Sequence, residues 1–442
     1  MDFNSIRQKL DQICKAKGLA DYKMAYSYGS SLTATAAGNE LTDTGTSVAS
    51  VLSFTAILNG RGGSAICSTY DDESLDNLVM DAMDNASSIE SKSECLLFDG
   101  SERYAELEDV KYCEPSMSRL VQRTMELQTS MMSSDDRVQN GSQSAVASVS
   151  GTICLANSRG LCLSRSYGYD QYEMGSVVQD GDDIACGDEQ NVCPLEEMKL
   201  TTCVDEAIAK LHAGRVGVKK FDVVLSSSCM RMMLGAFLSI FFGKNALLGL
   251  SLYKGKEGSA VASSMVTLVD DPFEPSSPVM IHFDADGVAA YSKNIIENGT
   301  LKTLLYSLSS AKEAGKQTTG NAGPYLGSSE TSFFSLYLKP GADSLEDLFS
   351  KTEGDAVFVQ EMKGLHAGAN AATGDFSIEC AGFEIKDGKK GNPVKAFTMS
   401  GNFYDLLKNV RGMSDELKWT TPSGFRRIGS PDVLVSGLNV AG

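Results

Sequence analysis

From Tyr22 to Ile66 the chain changes period. Apolar and polar residues alternate through Tyr22-Lys23-Met24-Ala25-Tyr26 and again from Val48 to Leu58, and Asn59-Gly60 follows at once. A period of two gives a strand one face to bury, and Asn-Gly supplies the positive φ angles of a two-residue hairpin. The flanking segments have helical spacing instead. Phe3 to Lys17 carries Ile6, Leu10, Ile13 and Cys14, with Gly18 to stop it. Asp71 opens a second helix, Glu73 to Ser88, with Leu75, Leu78, Val79, Ala82 and Met83 on one face. The pattern predicts an α-β-β-β-α unit, which confines this region to helices laid on antiparallel sheet.

The theme continues after a charged, irregular span from Ser91 to Pro115, a point at which the first region can subdivide. A helix is predicted from Met117 to Met132, then strands through Val146-Ala147-Ser148-Val149, a turn at Asn157-Ser158-Arg159-Gly160, and a strand from Ser164 to Val178. Leu195 to His212 reads as a third long helix ended by Gly214. The composition shifts at Gly214-Arg215-Val216-Gly217, which divides the chain into 1–214 and 215–442. Beyond it lie a buried strand, Phe221 to Leu225, and a buried helix, Ser228 to Phe242. Short strands then dominate: Val279 to Phe283, Phe333 to Leu338, Ala356 to Gln360, Phe383 to Ile385 and Val433 to Val435. Asp387-Gly388-Lys389 should make a hairpin turn between Glu384-Ile385 and Val394-Lys395-Ala396. The fold class is α+β, with N-terminal helices packed on antiparallel sheet and a mostly β C-terminal domain holding a buried helix.

Charge excludes some functions. Lys plus Arg total 39 against 57 Asp plus Glu, and 39 − 57 leaves −18. Neither a nucleic-acid groove nor an anionic membrane suits that balance. The start, Met1-Asp2-Phe3-Asn4-Ser5-Ile6-Arg7, lacks the basic and apolar regions of a signal peptide, and the most apolar stretch, Met230 to Phe242, is too short to span a bilayer. Eleven scattered cysteines, none in Cys-x-x-Cys spacing, fit reduced thiols, so a cytoplasmic protein is expected. Dinucleotide, phosphate-loop and Gly-x-Ser-x-Gly motifs are absent. Asp270-Asp271-Pro272 reads as a turn rather than a hard-cation site. The three histidines are far apart. His212 is expected to close a helix and His282 to sit in the core.

His366 alone has a setting suited to chemistry. It lies in Gly364 to Ser377, Gly-Leu-His-Ala-Gly-Ala-Asn-Ala-Ala-Thr-Gly-Asp-Phe-Ser. Small side chains throughout let its backbone come close to something else, either its own fold or a ligand. Gly368 and Gly374 are the positions where a peptide backbone could approach, His366 and Asn370 could hydrogen-bond it, and Asp375 is the carboxylate of the segment. Thr319, Gly320 and Asn321 have a similar character and are expected to form a facing wall. For each, a structural turn or buried network is the competing reading.

Several ordered motifs make the chain resemble one family. They are Asn59-Gly60-Arg61-Gly62-Gly63, Thr69-Tyr70-Asp71-Asp72-Glu73-Ser74-Leu75 and Ala156-Asn157-Ser158-Arg159-Gly160. Leu268-Val269-Asp270-Asp271-Pro272, Phe283-Asp284-Ala285-Asp286-Gly287-Val288 and Thr318-Thr319-Gly320-Asn321-Ala322 follow. Lys339-Pro340-Gly341, the Gly364 segment, Ser400-Gly401-Asn402 and Gly437-Leu438-Asn439-Val440-Ala441-Gly442 complete the series. Together they resemble the TldD/PmbA family, once called modulators of DNA gyrase, in its PmbA/TldE branch.

The resemblance implies a part in a TldD/TldE-type metallopeptidase that cuts unfolded peptides. In the TldD branch a helix early in the second domain carries His-Glu and a further His for zinc, with a cysteine ligand near the carboxyl end. The matching helix here, Cys229 to Leu238, has neither histidine nor glutamate, and the last cysteine is Cys380. The expectation is a subunit that binds no cofactor itself, with zinc in a TldD-like partner, and that supplies part of a peptide channel. Its partners would be that subunit or a second copy of itself, and an unfolded peptide. The alternative is a non-enzymatic homodimeric peptide-binding or scaffold protein, which could take a strand along a sheet edge. A third reading makes His366 and Asp375 a metal-free hydrolase, although no nucleophile is visibly paired with them. The gyrase label would then be indirect, since the charge disfavours DNA.

Overall fold

Asp2 and Gly18 bracket the first helix, α1 (Phe3–Lys17). The Asp2 carboxylate accepts from the Ser5 N–H at 3.1 Å, and Gly18, at φ 68°, returns its N–H to the last carbonyls. Three strands follow, β1 (Asp21–Ala37), β2 (Glu40–Leu58) and β3 (Arg61–Cys67). Asn59 and Gly60 turn β2 into β3 with φ of 52° and 76°. Asp71 caps α2 (Asp72–Ser88). An ideal Cβ on Gly63 would lie 2.0 Å from the Ala86 nitrogen, so glycine there is what lets α2 lie on β3. α3 (Met117–Met132), β4 (Gln143–Asn157), β5 (Cys162–Asp180) and β6 (Asp183–Val192) complete the sheet, ordered β3-β2-β1-β4-β5-β6 and antiparallel throughout. The computed structural model describes residues 2–90, 94–327 and 330–442, so the first three residues of the irregular span read from Ser91 lie outside the described residues.

Part of this sheet is buried on both faces, and residue parity sorts them, while the first half of β2 is exposed. Met24, Leu52, Phe54 and Ala156 meet Ile6, Leu10, Leu75 and Val79 of α1 and α2. Farther along the same face, Leu32, Val146 and Tyr172 meet Leu120 and Leu127 of α3. The odd-numbered Ala25, Ile153, Leu155 and Tyr169 point the other way and pack on Val279, Ile281, Phe283 and Phe334. Alternation in β1, β4 and β5 therefore separates a helical layer from the second half of the chain.

The long helix expected from Leu195 to His212 does not form. A 3-10 turn spans Leu195–Glu197 and α4 covers only Cys203–Ala209. The Glu189 carboxylate of β6 takes the N–H groups of Thr201, Thr202 and Cys203 at 2.6–3.1 Å, fixing the helix start there. These donors would otherwise have belonged to a continuous helix. His212 consequently closes no helix. It sits at φ 58° with its Nε2 2.9 Å from Asp180.

In the second half the strand Lys219–Leu225 runs parallel to Ala356–Lys363 and antiparallel to Val433–Ala441. Asp375–Lys386 and Lys389–Asn402 extend the sheet on the other side. Thr398, Met399 and Ser400 then pair with Ala441, Val440 and Asn439, which closes the sheet on itself. Its interior holds α5 (Ser227–Phe237), whose Met230, Met233, Leu234 and Phe237 pack with Val223, Leu225, Phe397 and Phe403. The Phe237 and Phe403 rings stack at 4.6 Å. A further sheet is built from short strands, Leu268–Asp270, Lys293–Glu297, Thr300–Leu301, Ser335–Leu338, Lys418–Trp419 and Arg427–Ser430. The architecture is α+β, with helices on antiparallel sheet followed by a mostly β region with embedded helices.

One local expectation changes and another gains detail. Val279 to Phe283 is not a strand: its alternate residues are buried by the odd face of the first sheet, without a hydrogen-bonded ladder. The Asp387-Gly388 hairpin forms, with φ of 51° and 71°, and pairs Ile385 with Lys390 and Gly382 with Val394. Bulges after Cys380 and Phe383 offset the register along this pair.

Candidate functional site

α5 starts where Ser226 Oγ accepts from the Cys229 N–H and the Ser227 N–H reaches Asp432 at 2.7 Å. Burying Cys229, Met230, Met233, Leu234 and Phe237 leaves Ser228, Met232 and Gly235 facing out, at i, i+4 and i+7. Arg231, on the flank, donates to the Trp419 carbonyl, and burial lowers its pKa. A zinc site on this face would need imidazole, carboxylate or thiolate. The face offers a hydroxyl, a thioether and a bare backbone, so these residues do not fit the zinc that the resemblance implies for a TldD-type helix. Burial pushes the nearby Cys229 thiol up to about 12 and raises Cys380 further, which keeps both protonated. Among the described residues no three His, Cys, Asp or Glu side chains gather as a metal site.

Beside α5 stands the Gly364 segment. Gly364, at φ 78°, starts a single helical turn, Leu365–Gly368. The loop then closes on itself: Asn370 N–H to Asp375 O and Gly374 N–H to Asn370 O, both 2.8 Å. The Asn370 Oδ1 accepts from the Ala372 and Thr373 N–H groups. Asp375 accepts from Asn402 Nδ2 at 2.9 Å, and hydrogen bonding to Asn402 and Thr373 lowers its pKa. The glycines are consumed by the fold. An ideal Cβ on Gly368 would fall 2.4 Å from the Ser377 carbonyl oxygen, and one on Gly374 would fall 2.5 Å from the Tyr404 ring. What remains outward is the exposed His366 ring, with no hydrogen-bond partner among the described residues, and the Asn370 amide N–H groups.

Thr319, Gly320 and Asn321 are interior residues. Thr319 and Asn321 are 5% and 0% exposed, and Gly320 is buried with them. Thr319 Oγ1 accepts from the Tyr306 N–H at 2.7 Å. Asn321 Nδ2 donates to Asp270 Oδ2 at 2.7 Å, an oxygen that Lys293 also reaches at 3.4 Å. The other Asp270 oxygen takes the Phe334 N–H at 2.7 Å. This is a buried hydrogen-bonded network, the competing reading of these three residues. Asp270 belongs to a strand, and only Asp271 makes the turn, accepting from the Phe273 N–H. His282 packs edge-on against Tyr104 and Phe283, and burial lowers its pKa, with Arg165 adding to the effect.

Sequence reasoning missed Tyr404 and the residues around it. The Tyr404 hydroxyl accepts from the Leu252 N–H at 3.0 Å, while its ring covers Gly374 and meets Tyr253 edge-on at 5.0 Å. Nothing in the local pattern of Phe403–Lys408 distinguishes it from an ordinary helix.

Together these elements define a class: a closed, sheet-rich domain with an internal helix whose outward face adjoins a Gly-rich loop. The description PmbA/TldA metallopeptidase C-terminal domain matches residues 218–442. A metalloprotease of Methanothermobacter thermautotrophicus is 31% identical over 231 residues, 51% of this chain and 49% of that protein. The match thus spans about half the length of that relative. A metalloprotease PmbA homolog of Haemophilus influenzae is 21% identical over 334 residues, 74% of this chain and 70% of its own. The crystal structure of TldE from Thermococcus kodakarensis superposes with a TM-score of 0.88 at 21% identity, covering 99% of each chain. The chain belongs to the TldD/PmbA family.

Proposed function

We propose that this chain is the PmbA/TldE-like, non-catalytic subunit of a TldD/TldE-type metallopeptidase acting on unfolded peptides. A TldD-like partner would hold the zinc, and this chain would complete the peptide channel. The observation that carries the reading is the outward face of α5. Ser228, Met232 and Gly235 stand there and can neither hold a borderline cation nor activate water. His366 and the Asn370 amide lie on the adjoining turn, free to hydrogen-bond a peptide backbone. The His366–Asp375 hydrolase loses support, because Asp375 is engaged with Asn402.

The test is metal analysis and peptide turnover, with and without a co-expressed TldD-like subunit. Turnover of an unfolded protein only in the pair, with zinc only in the partner, is the expected result. Stoichiometric zinc on this chain alone, with chelator-sensitive cleavage, would overturn the proposal. A homodimeric peptide-binding role has its own support in the outer strands β3 and β6, each paired on one side, with Ile66 and Ile184 exposed. Peptide binding by a stable homodimer that never raises a TldD-like subunit's turnover would favour that second reading.

A further inference from the structure

Next to Tyr404 the usual rule of burial is inverted. From Leu250 to Lys254, Ser251 and Tyr253 point inward, while Leu250, Leu252 and Lys254 point out. Ser251 Oγ donates to the Ile240 carbonyl at 2.6 Å, and Tyr253 packs on Phe241 and Tyr404. The segment is therefore anchored by its polar and aromatic residues, with its leucines on the outside. Leu248, Leu250 and Leu252 are 64%, 47% and 59% exposed, too much apolar surface in one ridge to be incidental.

The charge around this ridge is also inverted. No Asp or Glu occurs from residue 223 to 256 of a chain whose net charge is −18, yet that stretch holds Arg231, Lys244, Lys254 and Lys256. The three lysines are exposed, and neither Lys244 nor Lys256 pairs with a carboxylate among the described residues. Lys254 Nζ donates to the Leu247 carbonyl at 3.2 Å, which holds its ammonium beside Leu248. The first acid beyond, Glu257, is engaged by Lys316 and the Tyr306 hydroxyl. Two further carboxylates lie close by: Asp405, next to Tyr404, is paired with Lys408 at 3.0 Å, and Glu313 lies on the helix Leu308–Ala314, which packs against Gly243–Leu247.

The geometry points to this ridge as a docking surface for an extended peptide segment that combines carboxylates with apolar side chains. Leucines would take the apolar groups, and the lysines would select acidic over basic sequence. An isologous pairing with a second copy is disfavoured, because it would set the same lysines against each other. Through Tyr404 the ridge leads directly to the Gly374 loop and α5. Placed there, and resting on the reading of this chain as part of a peptide channel, it defines the substrate class as unfolded acidic-apolar segments.

Fluorescence anisotropy on the purified full chain tests this with three short labelled peptides: acidic-apolar, basic-apolar and acidic-polar. The acidic-apolar peptide should bind at least about tenfold more tightly than either of the others, and less tightly as salt rises. Leu250→Ser with Leu252→Ser should remove that binding. Lys244→Glu, Lys254→Glu and Lys256→Glu together should transfer the preference to the basic-apolar peptide. All these side chains are exposed, and a thermal melt checks that each variant is folded. Equal binding of the three peptides, or no change in the variants, overturns the inference. So does sedimentation showing that the Leu→Ser variant turns a peptide-refusing dimer into a monomer, or selective retention on anionic vesicles without peptide preference. Turnover with a TldD-like subunit is a separate readout. Stimulation that ignores peptide charge defeats only the substrate class, and charge-selective binding without stimulation defeats only the subunit reading.

Discussion

Residues 318–322 and 364–377 are alike in composition and opposite in fate. Both are built largely from glycine, alanine, threonine and asparagine, and each takes part in one asparagine–carboxylate hydrogen bond, the first supplying the asparagine and the second the carboxylate. Asn321 meets Asp270 in the interior, with Lys293 as counter-ion, whereas Asp375 meets Asn402 at the surface. Small residues license close backbone approach, but the burial of the neighbouring carboxylate decides what approaches. In the first segment the chain itself fills the space. In the second it also does so at Gly368 and Gly374, leaving only His366 and the Asn370 amide unspent.

The sharpest break of this contrast is Asp270→Ala. It would strand the Lys293 ammonium, whose side chain is 5% exposed, together with the Phe334 N–H and the Asn321 amide. Removing one partner of a buried pair costs about 3–5 kcal/mol, so urea denaturation should show a loss of that size. A loss under about 1 kcal/mol, typical of an exposed pair, would mean that the two segments are energetically alike after all.

Much of this contrast escaped the sequence for a definable reason. Helix ends were legible where a cap is local: Asp2, Asp71 and Ser116 each cap their helix N-terminus through an N–H three residues on. The helix from Leu195 failed because its competitor, Glu189, comes from a neighbouring strand. Val279 to Phe283 alternates like a strand because a sheet covers it, and no local pattern separates that from pairing. At the site, the empty face of α5 was readable from residue types alone. That Asn321 is interior and Asn370 exterior depends on Asp270 and Lys293, which are distant in sequence. The outward leucines at 248, 250 and 252 carry the same period as inward ones, so only the fold reveals which side they face.

Glycine substitutions give a finer comparison. Gly320 has φ 64° and an ideal Cβ 2.7 Å from the Ala289 carbonyl oxygen, whereas Gly364 has φ 78° and open space around its Cβ. Alanine at Gly364 should cost about 1–2 kcal/mol, the strain of the left-handed conformation alone. Alanine at Gly320 adds a clash with backbone and should cost about 3 kcal/mol. Equal losses by chemical denaturation would show that the Ala289 carbonyl yields and that the buried segment is as compliant as the exposed one.

Smaller still, and opposite in its meaning, is substitution of the unspent groups. His366→Ala and Asn370→Asp remove or alter side chains that face solvent, and the aspartate keeps the Oδ1 acceptor used by the Ala372 and Thr373 N–H groups. Stability should stay within about 0.5 kcal/mol of the parent. Turnover by the pair with a TldD-like subunit should nevertheless fall, at unchanged melting temperature. Lowered stability with unchanged turnover would reduce the loop to a structural turn, like residues 318–322.

The smallest effect is a matter of slope. Hydrogen bonding to Asn402 and Thr373 holds the Asp375 carboxyl below its ordinary value in the folded chain. A carboxyl with a depressed folded pKa binds fewer protons folded than unfolded, so its contribution is present above the unfolded value near 4 and fades as pH falls through the folded one. Asp375→Asn should therefore lower stability slightly at neutral and alkaline pH, with the two curves converging as pH falls through the folded pKa, so that the acid slope is flatter. The group is exposed, so the change should shrink further with added salt. If the variant instead lost stability equally at every pH, the Asp375–Asn402 contact would be acting through geometry rather than charge, and the surface loop would be built like the buried one.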